Sequence, residues 1–219
     1  MRTAAVRLLL IGVIAGCGSR TPDYFPLERG AQRVMEVTEQ RTSGAETTRV
    51  TRVEVVETVK GRKEMPGTGQ VWVIEAPLDS NRTVNYFFQR RKDSLLMVVP
   101  GRGGRPERIL HMLLPLRVGR RWFDSEERRE SCEVVGKETV TVPAGTFAGC
   151  FRIVQQSLRL DSRVERWLAP GVGLVRRVKS LSWLDDSVFY SIQREERLVE
   201  YRVPDRRRGR TGLNPPASP

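Results

Sequence analysis

A single histidine, three cysteines and no apolar run long enough to cross a bilayer leave this 219-residue chain with little of the usual catalytic equipment. His111 and three scattered cysteines do not make a ligand set with the spacing of a zinc or transition-metal site. A Ser-His-acid triad would have to use His111, yet no G-x-S-x-G elbow supplies its nucleophile. No phosphate-binding G-x-x-x-x-G-K-[ST] loop occurs, and Gly101-Arg102-Gly103-Gly104 lacks the spacing and the following helix of a dinucleotide loop. Adjacent acids stand at Glu126-Glu127, Asp185-Asp186 and Glu195-Glu196, but neighbours on a strand point to opposite faces, which would split each pair. No catalytic residue, metal or cofactor is therefore expected, and the chain reads as a non-enzyme. His111, in Ile109-Leu110-His111-Met112-Leu113, is expected to be a satisfied or solvated side chain.

What is present begins at the N-terminus. Arg2 and Arg7 form a positive region, Leu8 to Ala15 an apolar run, and small residues lead to Cys17, the layout of a secretory signal. About eight apolar residues cannot span a hydrocarbon core that needs roughly twenty. Ile14-Ala15-Gly16-Cys17 resembles the lipobox of bacterial lipoproteins, which implies that residues 1–16 are removed and that Cys17 receives lipid. One acyl chain holds a protein only marginally, at about 0.8 kcal/mol per buried methylene, and two or three make the attachment durable. Gly18 in place of Asp after that cysteine implies, under the best-known sorting rule, the periplasmic face of the outer membrane.

The chain carries 38 Lys and Arg against 26 Asp and Glu, a net charge of +12, which suggests anionic neighbours such as phospholipid or lipopolysaccharide. Most of these charges are interleaved, as in Arg90-Arg91-Lys92-Asp93. The unmixed basic stretch is Arg206, Arg207, Arg208 and Arg210, in a tail ending Asn214-Pro215-Pro216-Ala217-Ser218-Pro219 that reads as disordered and as a contact for anionic lipid. Nucleic acid is not an expected partner for an exported, anchored protein. With Cys17 lipidated, Cys132 and Cys150 remain, flanking Val142-Pro143-Ala144-Gly145; an oxidising compartment would let them form a disulfide, and two separate buried thiols are the alternative.

Between a tether at residues 17–29 and the tail from 204, residues 30–203 read as one β domain. Segments rich in Val, Thr and aromatics alternate along Gln32–Gln40, Thr47–Lys60, Gly69–Ala76, Asn81–Gln89, Asp93–Val99 and Ile109–Leu114. The pattern resumes over Arg121–Glu130, Cys132–Val142, Cys150–Leu160, Val164–Leu168, Leu174–Ser182 and Ser187–Ile192, with residues 192–199 compatible with strand or helix. Pro100 to Pro106 reads as a long exposed loop. About ten or eleven strands with short links predict an all-β antiparallel meander, curled into an open barrel or a sandwich. Trp72, Trp122, Trp167 and Trp183 lie in or beside these strands, either as core or lining an apolar groove inside the curved sheet.

Four blocks in order, Tyr24-Phe25-Pro26-Leu27, Leu114 to Trp122, Val140 to Phe147 and Trp167 to Val175, resemble an uncharacterised family of bacterial secreted proteins and lipoproteins. That family is similar in turn to periplasmic open-barrel proteins that carry or receive lipoproteins. The resemblance implies structural roles for the recurring prolines, glycines and aromatics and transfers no catalytic residue. This chain lacks the amphipathic helix that would plug such a barrel. The resulting expectation is a membrane-anchored envelope lipoprotein whose β domain binds or assembles with an envelope protein, the alternative being a carrier or sensor of an apolar ligand.

Overall fold

The computed structural model describes residues 22–78, 81–101, 105–125 and 129–204, without the side chains of 49–52. The leader, Cys17, the Glu126-Glu127 pair and the tail from Arg206 lie outside the described residues. Among the described residues twelve strands follow one another, beginning with β1 Gln32–Ser43, β2 Glu46–Met65, β3 Gly69–Pro77, β4 Thr83–Arg90, β5 Ser94–Pro100 and β6 Pro106–Leu113. The second half comprises β7 Arg121–Phe123, β8 Glu130–Val142, β9 Gly145–Ser157, β10 Asp161–Ala169, β11 Gly173–Asp185 and β12 Val188–Arg202. All belong to one antiparallel sheet in the order β6-β5-β4-β3-β2-β1-β12-β11-β10-β9-β8-β7. Its two edges, β6 and β7, are consecutive in the chain and face each other across a seam. Among the described residues one backbone hydrogen bond bridges them there, from Leu110 N to Asp124 O at 2.7 Å. The fold is thus an all-β, nearly closed barrel with one unsealed seam, not a sandwich.

Three local expectations are corrected or settled. The strand count is twelve and not ten or eleven, one strand within or overlapping each segment named above; in Arg121–Glu130 the strand β7 covers Arg121–Phe123 and pairs with β8 at Trp122–Cys132. The 100–106 segment is no long loop: Pro100 pairs with Pro106, and Gly101 N donates to Arg105 O at 3.0 Å, so the two chains still run together at residues 101 and 105. Residues 192–199 are strand, since β12 is paired along its length with β1 on one side and over residues 188–197 with β11 on the other.

The disulfide is not formed. Cys132 and Cys150 are both buried free thiols on neighbouring strands, but Cys132 pairs with Gln155 and Cys150 with Glu138. Five residues of β9 separate those positions, roughly 17 Å at strand rise, whereas a bridge needs its Cα atoms within about 7 Å. The Pro143-Ala144 turn is tight, with β9 already under way at Gly145, whose φ of 128° suits glycine. The two cysteines therefore do not flank the hairpin symmetrically.

Stability is concentrated at one end of the barrel. Tyr24 and Phe25, each 7% exposed, fold into that end and plug it. Tyr24 packs edge-on against Phe151 at 4.8 Å and donates its hydroxyl to Gly149 O at 3.3 Å. Phe25 meets Phe88 at 5.1 Å, and Arg33 lies over its ring at 5.8 Å. Gly171 N donates to Asp23 O at 2.7 Å, tying the β10–β11 turn to the plug. Behind it lie Met35, Leu95, Met112, Ile153, Leu168 and Leu198, almost wholly buried, each worth about 1.5–3 kcal/mol of transfer free energy.

The opposite end is different in kind. Before Thr58, β2 pairs only with β1, and beyond Ser182, β11 pairs only with β12. A four-strand ribbon, β2-β1-β12-β11, therefore projects past the barrel. Its outer positions carry exposed Leu184 and Phe189. The barrel's outer face is laced with ion pairs such as Lys60–Glu75, Arg121–Glu133, Arg152–Glu165 and Arg176–Glu195, where a transmembrane barrel presents an apolar band. Among the described residues no helix is long and apolar enough to cross a membrane.

Candidate functional site: the interior cleft

Inside the barrel, between the plug and the projecting ribbon, the packing is incomplete. A cavity of ≈ 150 Å³ is walled by Phe25, Ile74, Phe88, Met97, Leu168 and Leu174 on its apolar side and by Arg33, Glu57, His111, Arg166 and Arg177 on its polar side. A second recess of ≈ 340 Å³ shares Met97 and His111 with it and runs along the seam between apolar Ile109, Leu110 and Leu160 and polar Asp124, Arg129, Glu130 and Gln155. The two recesses adjoin at Met97 and His111 and are taken together as the cleft. A larger recess of ≈ 590 Å³ lies on the outer face beneath β7, between Phe123, Glu133, Val135 and Arg163, and opens to solvent.

Local alternation puts charge into this interior. On β10, Val164, Arg166 and Leu168 share a face by the two-residue period, and Leu168 is core, so Arg166 points inward. Its neighbours Glu165 and Trp167 point the other way. Arg166 is 7% exposed and its cross-strand partner on β11 is Arg177, a like charge. Arg177 is relieved by Glu196, opposite it on β12, itself 4% exposed and also bound by Arg194 at 2.9 Å. Arg33 is relieved by Glu57 at 3.0 Å.

Arg166 has no such relief. Its Nη1 donates to His111 Nε2 at 3.2 Å and its Nη2 to Gln155 Oε1 at 2.8 Å. The Gln155 amide in turn donates to Glu130, standing between that carboxylate and the guanidinium. The Arg166 Nε is buried without a hydrogen-bond partner. Burial, then the charges of Arg166 and Arg177, hold His111 well below its ordinary pKa, so the imidazole is neutral at pH 7 and offers a lone pair to Arg166. Burial likewise lowers Arg166. Edge-on contacts with Phe88 at 5.3 Å and Phe25 at 5.9 Å fix the His111 ring.

Neither of the two described cysteines is activated as a nucleophile. Burial pushes the Cys132 thiol up to about 11 and raises Cys150 too, so both remain protonated. The Glu195-Glu196 pair is split by the pleat: Glu195 pairs with Arg176 outside while Glu196 serves Arg177 inside. Among the described residues no group of three or more His, Cys, Asp or Glu is placed to hold a metal ion.

The four tryptophans do not converge into a groove. Trp72 sits near the plug under Arg62 at 4.8 Å, and Trp122 is core beside the seam. Trp167 is buried on the face opposite Arg166, between Arg176 at 4.7 Å and Arg152 at 5.5 Å, and donates its Nε1–H to Glu138. Trp183, 40% exposed, stacks on Tyr190 at 5.3 Å out on the ribbon. The cleft is lined instead by His111 and by Arg33, Arg166 and Arg177, which sequence reading passed over. Their signal was a charged residue at an inward position of an apolar alternation: Ala31-x-Arg33-x-Met35, Val164-x-Arg166-x-Leu168.

The four sequence blocks meet at the plug end. Tyr24-Phe25 fills it, Leu114 to Trp122 links β6 to β7, and the other two blocks form the β8–β9 and β10–β11 turns. Gly173, at φ 89°, leaves room for Pro26 and Arg33, each within 3.2 Å of where a Cβ would stand. No protein-family model matches the chain, and no curated protein matches it. Two solved structures are similar to it. One is described as a "putative lipoprotein" of Parabacteroides distasonis ATCC 8503, with 16% identity and a TM-score of 0.45 over 84% of this chain and 100% of that one. The other is described as a "putative exported protein with YmcC-like fold" of Bacteroides fragilis NCTC 9343, with 16% identity and a TM-score of 0.44 over 83% of this chain and 100% of that one.

Proposed function

We propose that this protein is an exported, non-enzymatic envelope lipoprotein, anchored through Cys17 at the periplasmic face of the outer membrane, whose barrel carries or senses an apolar ligand in its interior cleft. The carrying observation is a pair of adjoining recesses, one lined by apolar and charged side chains of the barrel interior, beside a seam that backbone pairing leaves unzipped. The anchor rests on the Leu8–Ala15 and Ile14-Ala15-Gly16-Cys17 pattern. The projecting ribbon, with exposed Leu184 and Phe189, supports a second reading in which the same anchored barrel docks on an envelope protein.

Native mass spectrometry of the full chain carrying Cys17→Ser, exported and purified without detergent, tests the ligand. A reproducible adduct of lipid mass, lost when Met97→Trp fills the cleft, is expected. Bare protein would overturn the carrier reading and leave the docking one. Fractionation tests the anchor: Cys17→Ser should move the protein out of the membrane fraction, and unchanged membrane association at unchanged mass would refute lipidation.

A further inference from the structure

The cleft holds three arginines, and their pairing is unequal. Arg33 and Arg177 each have a carboxylate within salt-bridge distance, Glu57 and Glu196. Among the described residues Arg166 has none, although it is about as deeply buried as Arg33 and stands beside the like charge of Arg177. A buried guanidinium with only neutral hydrogen-bond partners, His111 and Gln155, and an idle Nε is costly, because the Glu130 carboxylate beyond Gln155 compensates the desolvation of the charge only in part. Such a group is stabilised by a ligand that brings the missing anion.

We propose that Arg166 is the head-group site of the cleft and takes the carboxylate of an amphiphilic monoanion, whose apolar body lies along one wall of the seam recess, against Met97, Ile109 and Leu110, with the polar wall of Asp124, Arg129 and Glu130 across from it. The inference rests on the ligand-binding reading given above and narrows it to a chemical class. One unpaired charge calls for a monoanion. A carboxylate is planar and matches the guanidinium fork, and it trails a single substituent. His111 and Gln155, the two groups that hold Arg166, both line the seam recess, so that substituent leaves directly into it. A neutral His111 completes the site: it fixes the guanidinium as an acceptor without adding a second charge for the ligand to answer.

The test uses the full chain carrying Cys17→Ser and two probes of equal length, palmitate and hexadecanol, below their aggregation concentrations. Wild-type protein should prefer palmitate by at least tenfold. Arg166→Met, which keeps the volume and removes the charge, should weaken palmitate at least tenfold and hexadecanol less than threefold, and Arg166→Lys should recover part of the loss. Carboxyl-¹³C-labelled palmitate adds a readout that repacking would not move: the bound carboxyl should stay ionised to lower pH in wild type than in Arg166→Met. Equal affinity of the two probes for wild type, or palmitate binding indifferent to Arg166→Met, overturns the head-group site while leaving an apolar cleft. Failure of both probes to bind wild type overturns the cleft reading itself. Should Arg166→Met not fold, the wild-type preference, the Arg166→Lys variant and the labelled carboxyl decide the matter.

Discussion

Phe25→Ala separates a plug from a tether. As part of a flexible linker Phe25 would contribute almost nothing to stability. In the structure it is 7% exposed, meets Phe88 at 5.1 Å and His111 at 5.9 Å, and lies beneath Arg33. Truncating a buried Phe costs about 3–5 kcal/mol, the spread depending on how far the site collapses. Phe25 borders the ≈ 150 Å³ cavity, so some of its surroundings are already empty and the lower end, about 3 kcal/mol, is expected. For a domain of this size that is a fall in melting temperature of roughly 6–12 °C. Urea unfolding followed by far-ultraviolet circular dichroism should show a lower midpoint at unchanged slope, because the residue changes stability and not the surface exposed on unfolding. Lys92→Ala, exposed between β4 and β5, is the control and should stay within about 0.5 kcal/mol. A loss below about 1 kcal/mol for Phe25→Ala would refute the plug.

His111 gives a pH dependence with a definite sign. Its folded pKa is lowered, so below its unfolded value of about 6.5 the unfolded chain binds the extra proton and stability falls, with a slope approaching 1.4 kcal/mol per pH unit. Between pH 6.5 and 5 that slope should be present in wild type and absent in His111→Gln; parallel curves for the two would remove the buried-imidazole argument. Glu196→Gln should cost about 2–4 kcal/mol in a denaturant titration, since it strips the shared carboxylate from Arg177 and Arg194, and the partial exposure of those arginines keeps the cost below that of a wholly buried pair. Thiol titration of the Cys17→Ser chain should find no reactive thiol in the native state and two after unfolding. A mass two hydrogens short would show instead that Cys132 and Cys150 can bridge.

The barrel was largely legible because its signal is local and repetitive. Val and Thr alternation along Gln32–Gln40 and Thr47–Lys60, and the Pro-Ala-Gly and Ala-Pro-Gly turns, mark strands and hairpins whatever their partners. Closure and register were not legible, since they depend on which edges meet. Cys132 and Cys150 show the cost: spacing around a turn suggested a bridge, while bulges at Val134/Gly136 and Glu138/Val140 and the early start of β9 set the pairing that keeps them apart. The site was missed for a related reason. Tryptophans draw attention as groove formers, but Trp72, Trp122, Trp167 and Trp183 went to four different environments, and the cleft was built by arginines whose inward orientation follows from the period of two. Arg166 between Val164 and Leu168 was visible in the sequence; that Arg177 and not an acid would stand opposite it was not.

The two ends of the barrel differ in what holds them together. The plug end carries the aromatic packing, the four sequence blocks and both termini of the sheet, with Pro204 lying against Gly30. The described chain enters at Pro22 and leaves at Pro204, both at that end. The ribbon extends away from it, past the level of Thr42, Ser191 and Ser182 where β10 begins. The Arg177–Glu196–Arg194 network and the unpaired Arg166 lie between the two ends, where apolar packing gives way to charge. Burying charge there lowers stability, and the apolar core around Met35, Leu95 and Ile153 offsets it. The seam recess lies beside these charges, where the backbone hydrogen bond from Leu110 to Asp124 holds β6 to the end of β7.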